Sequence, residues 1–119
     1  MQDRRISADE AMWMDGFTGA LEEFRKWNPD VTANVVLTFM LIARHPGITQ
    51  KELMKRLGLA DSGTSRTTAA LSRYGDRNKP GWDVIDLVEN PLDRREKLLY
   101  LNKKGNVILA ALRRALLRR

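Results

Sequence analysis

The residues best equipped for chemistry lie in two short stretches. The first runs Ser62-Gly63-Thr64-Ser65-Arg66-Thr67-Thr68-Ala69-Ala70-Leu71-Ser72-Arg73-Tyr74, dense in small hydroxyls and carrying two arginines. Hydroxyl and guanidinium groups bond to phosphate oxygens and to base edges, and an arginine fork matches two acceptors on one guanine. The second is Asp93-Arg94-Arg95, an acid followed by two cations. Other chemistries lack their reagents. The chain has no cysteine, which excludes disulfides, thiolate metal sites and a thiol nucleophile. Its one histidine, His45, precedes Pro46-Gly47 and reads as a loop residue, with no carboxylates spaced to build a metal site around it. No glycine-rich phosphate loop occurs. The expectation is a binding protein without metal or cofactor, not an enzyme.

Charge narrows the partner. There are 21 Lys+Arg against 15 Asp+Glu, a net charge of +6. The excess is uneven: residues 1–30 hold four basic and seven acidic side chains, and the rest of the chain seventeen and eight. A basic body behind an acidic leading segment suits a polyanion, nucleic acid before an anionic membrane. The longest near-apolar run, Val35–Ala43, is far short of the roughly 20 residues of a bilayer span. The leading MQDRRISADE lacks the apolar stretch of an export signal, so a cytoplasmic location is expected.

These stretches need elements to position them. At 119 residues, with 43% hydrophobic side chains, the chain is the size of one domain. Ser7-Ala8-Asp9-Glu10 has the form of a reciprocal helix cap, opening a helix over 7–27 whose Trp13, Phe17, Leu21, Phe24 and Trp27 recur at helical spacing. Asn28-Pro29-Asp30 ends it. Asp30 or Thr32 caps a second helix to about Arg44, apolar on nearly all sides and so expected to be central and buried. Ile48 reads as a single extended residue. Thr49-Gln50-Lys51-Glu52 repeats the capping pattern before a short helix over Gln50–Leu57, closed by Gly58. After a tight turn, a fourth helix runs from Asp61 or Ser62 to Tyr74 and ends at Gly75. Ser and Thr are mediocre helix formers, and this helix has few large groups to bury; small polar side chains would let it enter a groove closely.

Asp76–Gly81 is a polar loop. Trp82–Val88 and Lys97–Leu101 read as the strands of a hairpin around a charged turn, Glu89–Glu96. Asn102 caps a last helix, Lys103–Arg119, apolar on more than one face; Ile108, Leu112 and Leu116 are expected to meet a second copy. Its terminal Arg113, Arg114, Arg118 and Arg119 favour the helix dipole.

A short helix joined by a tight turn to a polar helix, followed by a hairpin, is a winged helix-turn-helix. Residues 48–105 resemble the corresponding part of MarR-type transcriptional regulators: ITQKELMKRLGLADSGTSRTTAAL is similar to their helix-turn-helix, and LVENPLDRREKLLYLNKKG to their wing. The sequence departs from the family in a longer Gly75–Gly81 loop, in Asp61, and in Asn102 where Thr is usual. The fold class implied is mainly α with a small β-hairpin. The core spans about 30–101, and dimerisation helices over 7–27 and 103–119 frame it.

The resemblance implies a homodimer on double-stranded DNA, acting as a repressor or other transcription regulator. Ser62, Gly63, Thr64, Ser65, Arg66 and Thr67 would face the major groove, with Arg66 reading a guanine. Arg73, Arg77 and Lys79 would hold phosphates. Of Arg94 and Arg95, one would reach the minor groove and the other pair with Asp93. Trp13, Phe17 and Phe24 would join the C-terminal helix in the dimer interface. A small aromatic effector is also implied. The alternatives are a winged-helix module that binds protein, or a small-molecule sensor on the same fold.

Overall fold

A computed structural model of the chain describes residues 4–76 and 78–117. Helix α1 (Ala8–Trp27) opens with the reciprocal cap: the Ser7 hydroxyl accepts from the Glu10 amide, and the Glu10 carboxylate accepts from the Ser7 amide. Thr32 caps α2 (Ala33–Arg44). A turn through Gly47 leads to β1 (Ile48–Thr49) and α3 (Gln50–Leu57). The Thr49 hydroxyl caps α3 through the Glu52 amide at 3.1 Å. The reciprocal half is absent, because the Glu52 carboxylate pairs with Arg56 at 3.3 Å instead. Gly58 ends α3 in the left-handed region, φ 66°. Helix α4 (Asp61–Leu71), β2 (Ile85–Asn90), β3 (Asp93–Leu101) and α5 (Lys103–Leu116) complete the order. The sheet runs β1-β3-β2, all antiparallel, with Leu99 opposite both Ile48 and Leu87.

The boundaries of α4, of both wing strands and of α5 differ from the sequence reading. Helix α4 stops at Leu71, not Tyr74. The returning chain takes its last carbonyls: Trp82 N–H donates to Ala70 O, Val84 N–H to Leu71 O and Asp83 N–H to Ser72 O. Gly81 makes this possible, since a Cβ there would overlap the Ser72 carbonyl. The first wing strand accordingly starts at Ile85, and Trp82 and Val84 are core residues. The second strand begins at Asp93, which shrinks the turn to Pro91-Leu92. The Asn90 side chain closes that turn, accepting from Leu92 N–H at 3.0 Å and donating to Glu96 at 2.7 Å. Helix α5 ends at Leu116; Arg118 and Arg119 lie outside the described residues.

The core gathers Phe24, Phe39, Ile42, Leu53, Leu71, Trp82, Val84, Leu99 and Leu112. Phe24 meets Phe39 edge-on at 5.3 Å, and Trp27 stacks on Trp82 at 4.9 Å. Such aromatic pairs add about 0.5–1.5 kcal/mol each beyond simple burial. They dock the C-terminal half of α1 onto the winged core.

Two expected interface residues are therefore core residues. Phe24 and Leu112 are 2% and 3% exposed, and Ile108 is half-buried against the same cluster. Toward its N-terminus α1 leaves the core and runs antiparallel to the end of α5. A Cβ on Gly16 would come within 2.8 Å of the Ala115 carbonyl, so glycine permits this close approach. Trp13 and Phe17 stand there 58% and 57% exposed, with Leu116 and Leu117 also exposed at the end of α5. Helix α2 is not buried on all sides: Val35, Thr38, Phe39 and Ile42 face the core, while Leu37 and Met40 are exposed.

Candidate nucleic-acid interface

Helix α4 has two faces. Thr64, Thr68 and Leu71 form the inner one, at i, i+4 and i+7. The threonine hydroxyls are satisfied within the helix: Thr64 donates to Ala60 O at 3.1 Å, and Thr68 to Thr64 O at 3.1 Å. A threonine whose hydroxyl bonds back one turn can bury its methyl group without cost to the donor. Thr64 is fully buried, so its expected place among groove-facing residues is corrected. Thr67 is half-buried and donates to Thr64 O, and Gly63 is half-buried beside Leu59. The outer face carries Asp61, Ser62 and Arg66, all exposed, with Ser65 at its edge.

A residue outside the candidate site residues ties this face to α3. Gln50, the first residue of α3, donates from Nε2 to Ser65 Oγ at 2.7 Å and to Asp61 Oδ1 at 3.3 Å. Nothing local marks it, because its partners are 11 and 15 residues away. The N-cap of α4, Ala60, supplies no side-chain acceptor, so the first turn keeps backbone donors pointing outward.

The wing lies on one side of this face. Arg95 turns back on Asp93, with Nε 3.6 Å from Oδ1 and its amide donating to the same carboxylate oxygen at 3.1 Å. Arg94 is exposed and has no ionic partner among the described residues. The choice that the sequence leaves open is thus resolved for pairing: Arg95 is the paired arginine. Between wing and helices runs a groove of about 410 Å³, lined by Gln50, Lys51, Asp61, Arg95 and Lys97.

Further along α4, Gly75, Asp76, Lys79 and Pro80 lie beside Ser65, Arg66, Ala69 and Ala70. Asp76 organises this loop: its carboxylate accepts from the amides of Asn78 (2.8 Å) and Lys79 (3.0 Å), while its own amide donates to Lys79 O. Lys79 is exposed, and with Trp27, Ser65, Arg66, Asp76 and Pro80 it lines a cleft of about 520 Å³. Arg77 lies outside the described residues. Arg73 is not brought to this face. Its guanidinium covers the Tyr74 ring at 5.0 Å and donates to the Tyr74 hydroxyl at 3.1 Å. That hydrogen bond first, then the charges of Tyr74, Asp83 and Asp86, raise its pKa further above the ordinary arginine value.

Among the described residues no cluster of His, Asp or Glu could hold a metal ion, and no helix is long and apolar enough to cross a membrane. His45 caps α2 through its backbone.

A short helix, a tight turn, a helix with an exposed polar face and a hairpin paired to a two-residue strand define a winged helix-turn-helix. The fold is that of the MarR-type regulators. The chain is similar to MarR, with 21% identity over 92% of this chain and 75% of that one and a TM-score of 0.61. It is similar to FabT of Streptococcus pneumoniae, solved in complex with DNA, at 22% identity over 89% and 71% (TM-score 0.61). It also matches the S. aureus MepR–DNA complex at 20% identity over 83% and 73% (TM-score 0.67). No family model and no curated protein matches the sequence.

Proposed function

We propose that the protein is a double-stranded DNA-binding transcriptional regulator that acts as a homodimer and represses by occupying promoter DNA in the cytoplasm. It is a binding protein, not an enzyme. One observation carries the reading: α4 locks its threonine face into the core and leaves Ser62 and Arg66 exposed, with the wing beside Asp61 at its start and Lys79 beside Arg66. Arg66 reads a base in the major groove. Lys79 and Arg77 hold phosphates and Arg94 reaches DNA from the wing, while Arg95 stiffens the wing through Asp93. FabT and MepR, which share the fold, were solved with DNA, and this supports the reading.

The winged core over about 30–101 carries the DNA face, and the two terminal helices carry the dimer. Trp13, Phe17 and Leu116 supply that interface, an apolar patch that two helices alone leave open to water. The cleft beside Arg66 supports a small aromatic anion as effector, since Trp27 offers a ring face and Arg66 and Lys79 offer charge. Such a ligand would compete with DNA for Arg66.

The test is selection of bound duplexes from random DNA, followed by affinity measured against salt. Specific binding with a steep negative slope of log affinity against log salt is expected. Absence of any preferred duplex would rule the reading out.

A further inference from the structure

Among the described residues, the most exposed of the large apolar side chains stands at the tip of the wing. Leu92, at the turn between β2 and β3, is 95% exposed. Its presentation is fixed: Pro91 precedes it, Asn90 Oδ1 accepts its amide, Asn90 Nδ2 holds Glu96, and Asp93 accepts the Arg95 amide. The turn thus holds an apolar group outward on a braced hairpin, next to the unpaired cation Arg94. An apolar wedge beside a cation is a combination that minor-groove binders use to part base steps.

We infer that Leu92 enters the minor groove as an apolar wedge and makes binding depend on how easily the base step beneath it deforms. The inference rests on the DNA-binding reading above and adds a source of specificity to it. Arg94 and Leu92 then pull in different directions. An arginine alone favours the narrow groove of a stiff A-tract, whereas a wedge favours flexible pyrimidine–purine steps such as TA and CA.

The experiment takes a duplex that the wild-type protein selects from random DNA and locates the wing by hydroxyl-radical footprinting. The steps beneath it are then changed between TA and an A-tract. Wild type, Leu92→Ala and Arg94→Ala are titrated on both duplexes at several salt concentrations, with thermal melts to control for folding. Wild type should bind the TA duplex about tenfold more tightly, the scale of one mismatched position. Leu92→Ala should bring the two duplexes within about twofold of each other and leave the salt slope unchanged. Arg94→Ala should keep or widen the preference for TA and lower the slope by about 0.9. The inference is overturned if wild type prefers the A-tract or neither duplex, or if Leu92→Ala retains the full preference. If wild type selects no duplex at all, the DNA-binding reading itself fails and the wedge falls with it.

Discussion

The two ends of this molecule solve the same problem differently. At the winged end, α4 buries one face, satisfies its hydroxyls internally, and has its last carbonyls taken by residues 82–84. What remains exposed along α4 is polar and charged: Asp61, Ser62 and Arg66. At the other end, α1 and α5 pack closely through Gly16 and Ala115, yet leave Trp13, Phe17, Leu116 and Leu117 in water. A surface whose inner groups are all paired can meet a charged, hydrated partner. Two helices with apolar groups on their outer side call instead for an apolar partner, most simply a second copy.

The sharpest way to break the comparison is within α5 itself. Leu112→Ala removes a core side chain, and a loss of about 2–5 kcal/mol in denaturant unfolding is expected. Trp13→Glu with Phe17→Glu should leave the circular dichroism of the chain intact while shifting its sedimentation mass from two chains to one at micromolar concentration. A wild-type mass of one chain would remove the dimer from the account. At the winged end, Arg66→Ala should cost about 1–3 kcal/mol on a selected duplex and relax one base position. Arg73→Ala, on a residue held by Tyr74, should leave base preference untouched; an equal loss from both variants would abolish the distinction between the two arginines. The smallest effect expected is at the wing. Asp93→Ala frees Arg95 and should leave the slope of log affinity against log salt unchanged or steeper, where loss of one phosphate contact lowers it by about 0.9.

Much of this was readable before any coordinates. The Ser7 and Thr49 caps, Gly58, the two-element turn and the wing's charged tip are local signals that act through adjacent backbone, and they survive folding nearly unchanged. Most of the features that differ depend on residues far apart in sequence. The threonines of α4 are an exception: they read as polar, but a hydroxyl bond to the preceding turn makes each side chain apolar in effect. The aromatic stripe of α1 is continuous in sequence, yet Phe24 packs edge-on against Phe39 while Phe17 is 57% exposed, because the core ends between them. Periodicity gives the direction of a stripe and not the length of it that is covered. Gln50 and the early end of α4 are invisible for the same reason. Of the candidate site residues, Ser65, Arg66 and Lys79 line one cleft, Thr64 is buried and Arg73 lies over the Tyr74 ring.

The clasp of residues 82–84 on the end of α4 has a consequence for distance. It joins the tail of that helix to the root of the hairpin through three backbone hydrogen bonds. On the DNA-binding reading proposed above, helix and wing would act as a two-pronged gauge of constant span. On DNA, the offset between what Arg66 meets and what the wing meets would be a fixed number of base pairs, set by the chain and not by the sequence it lands on.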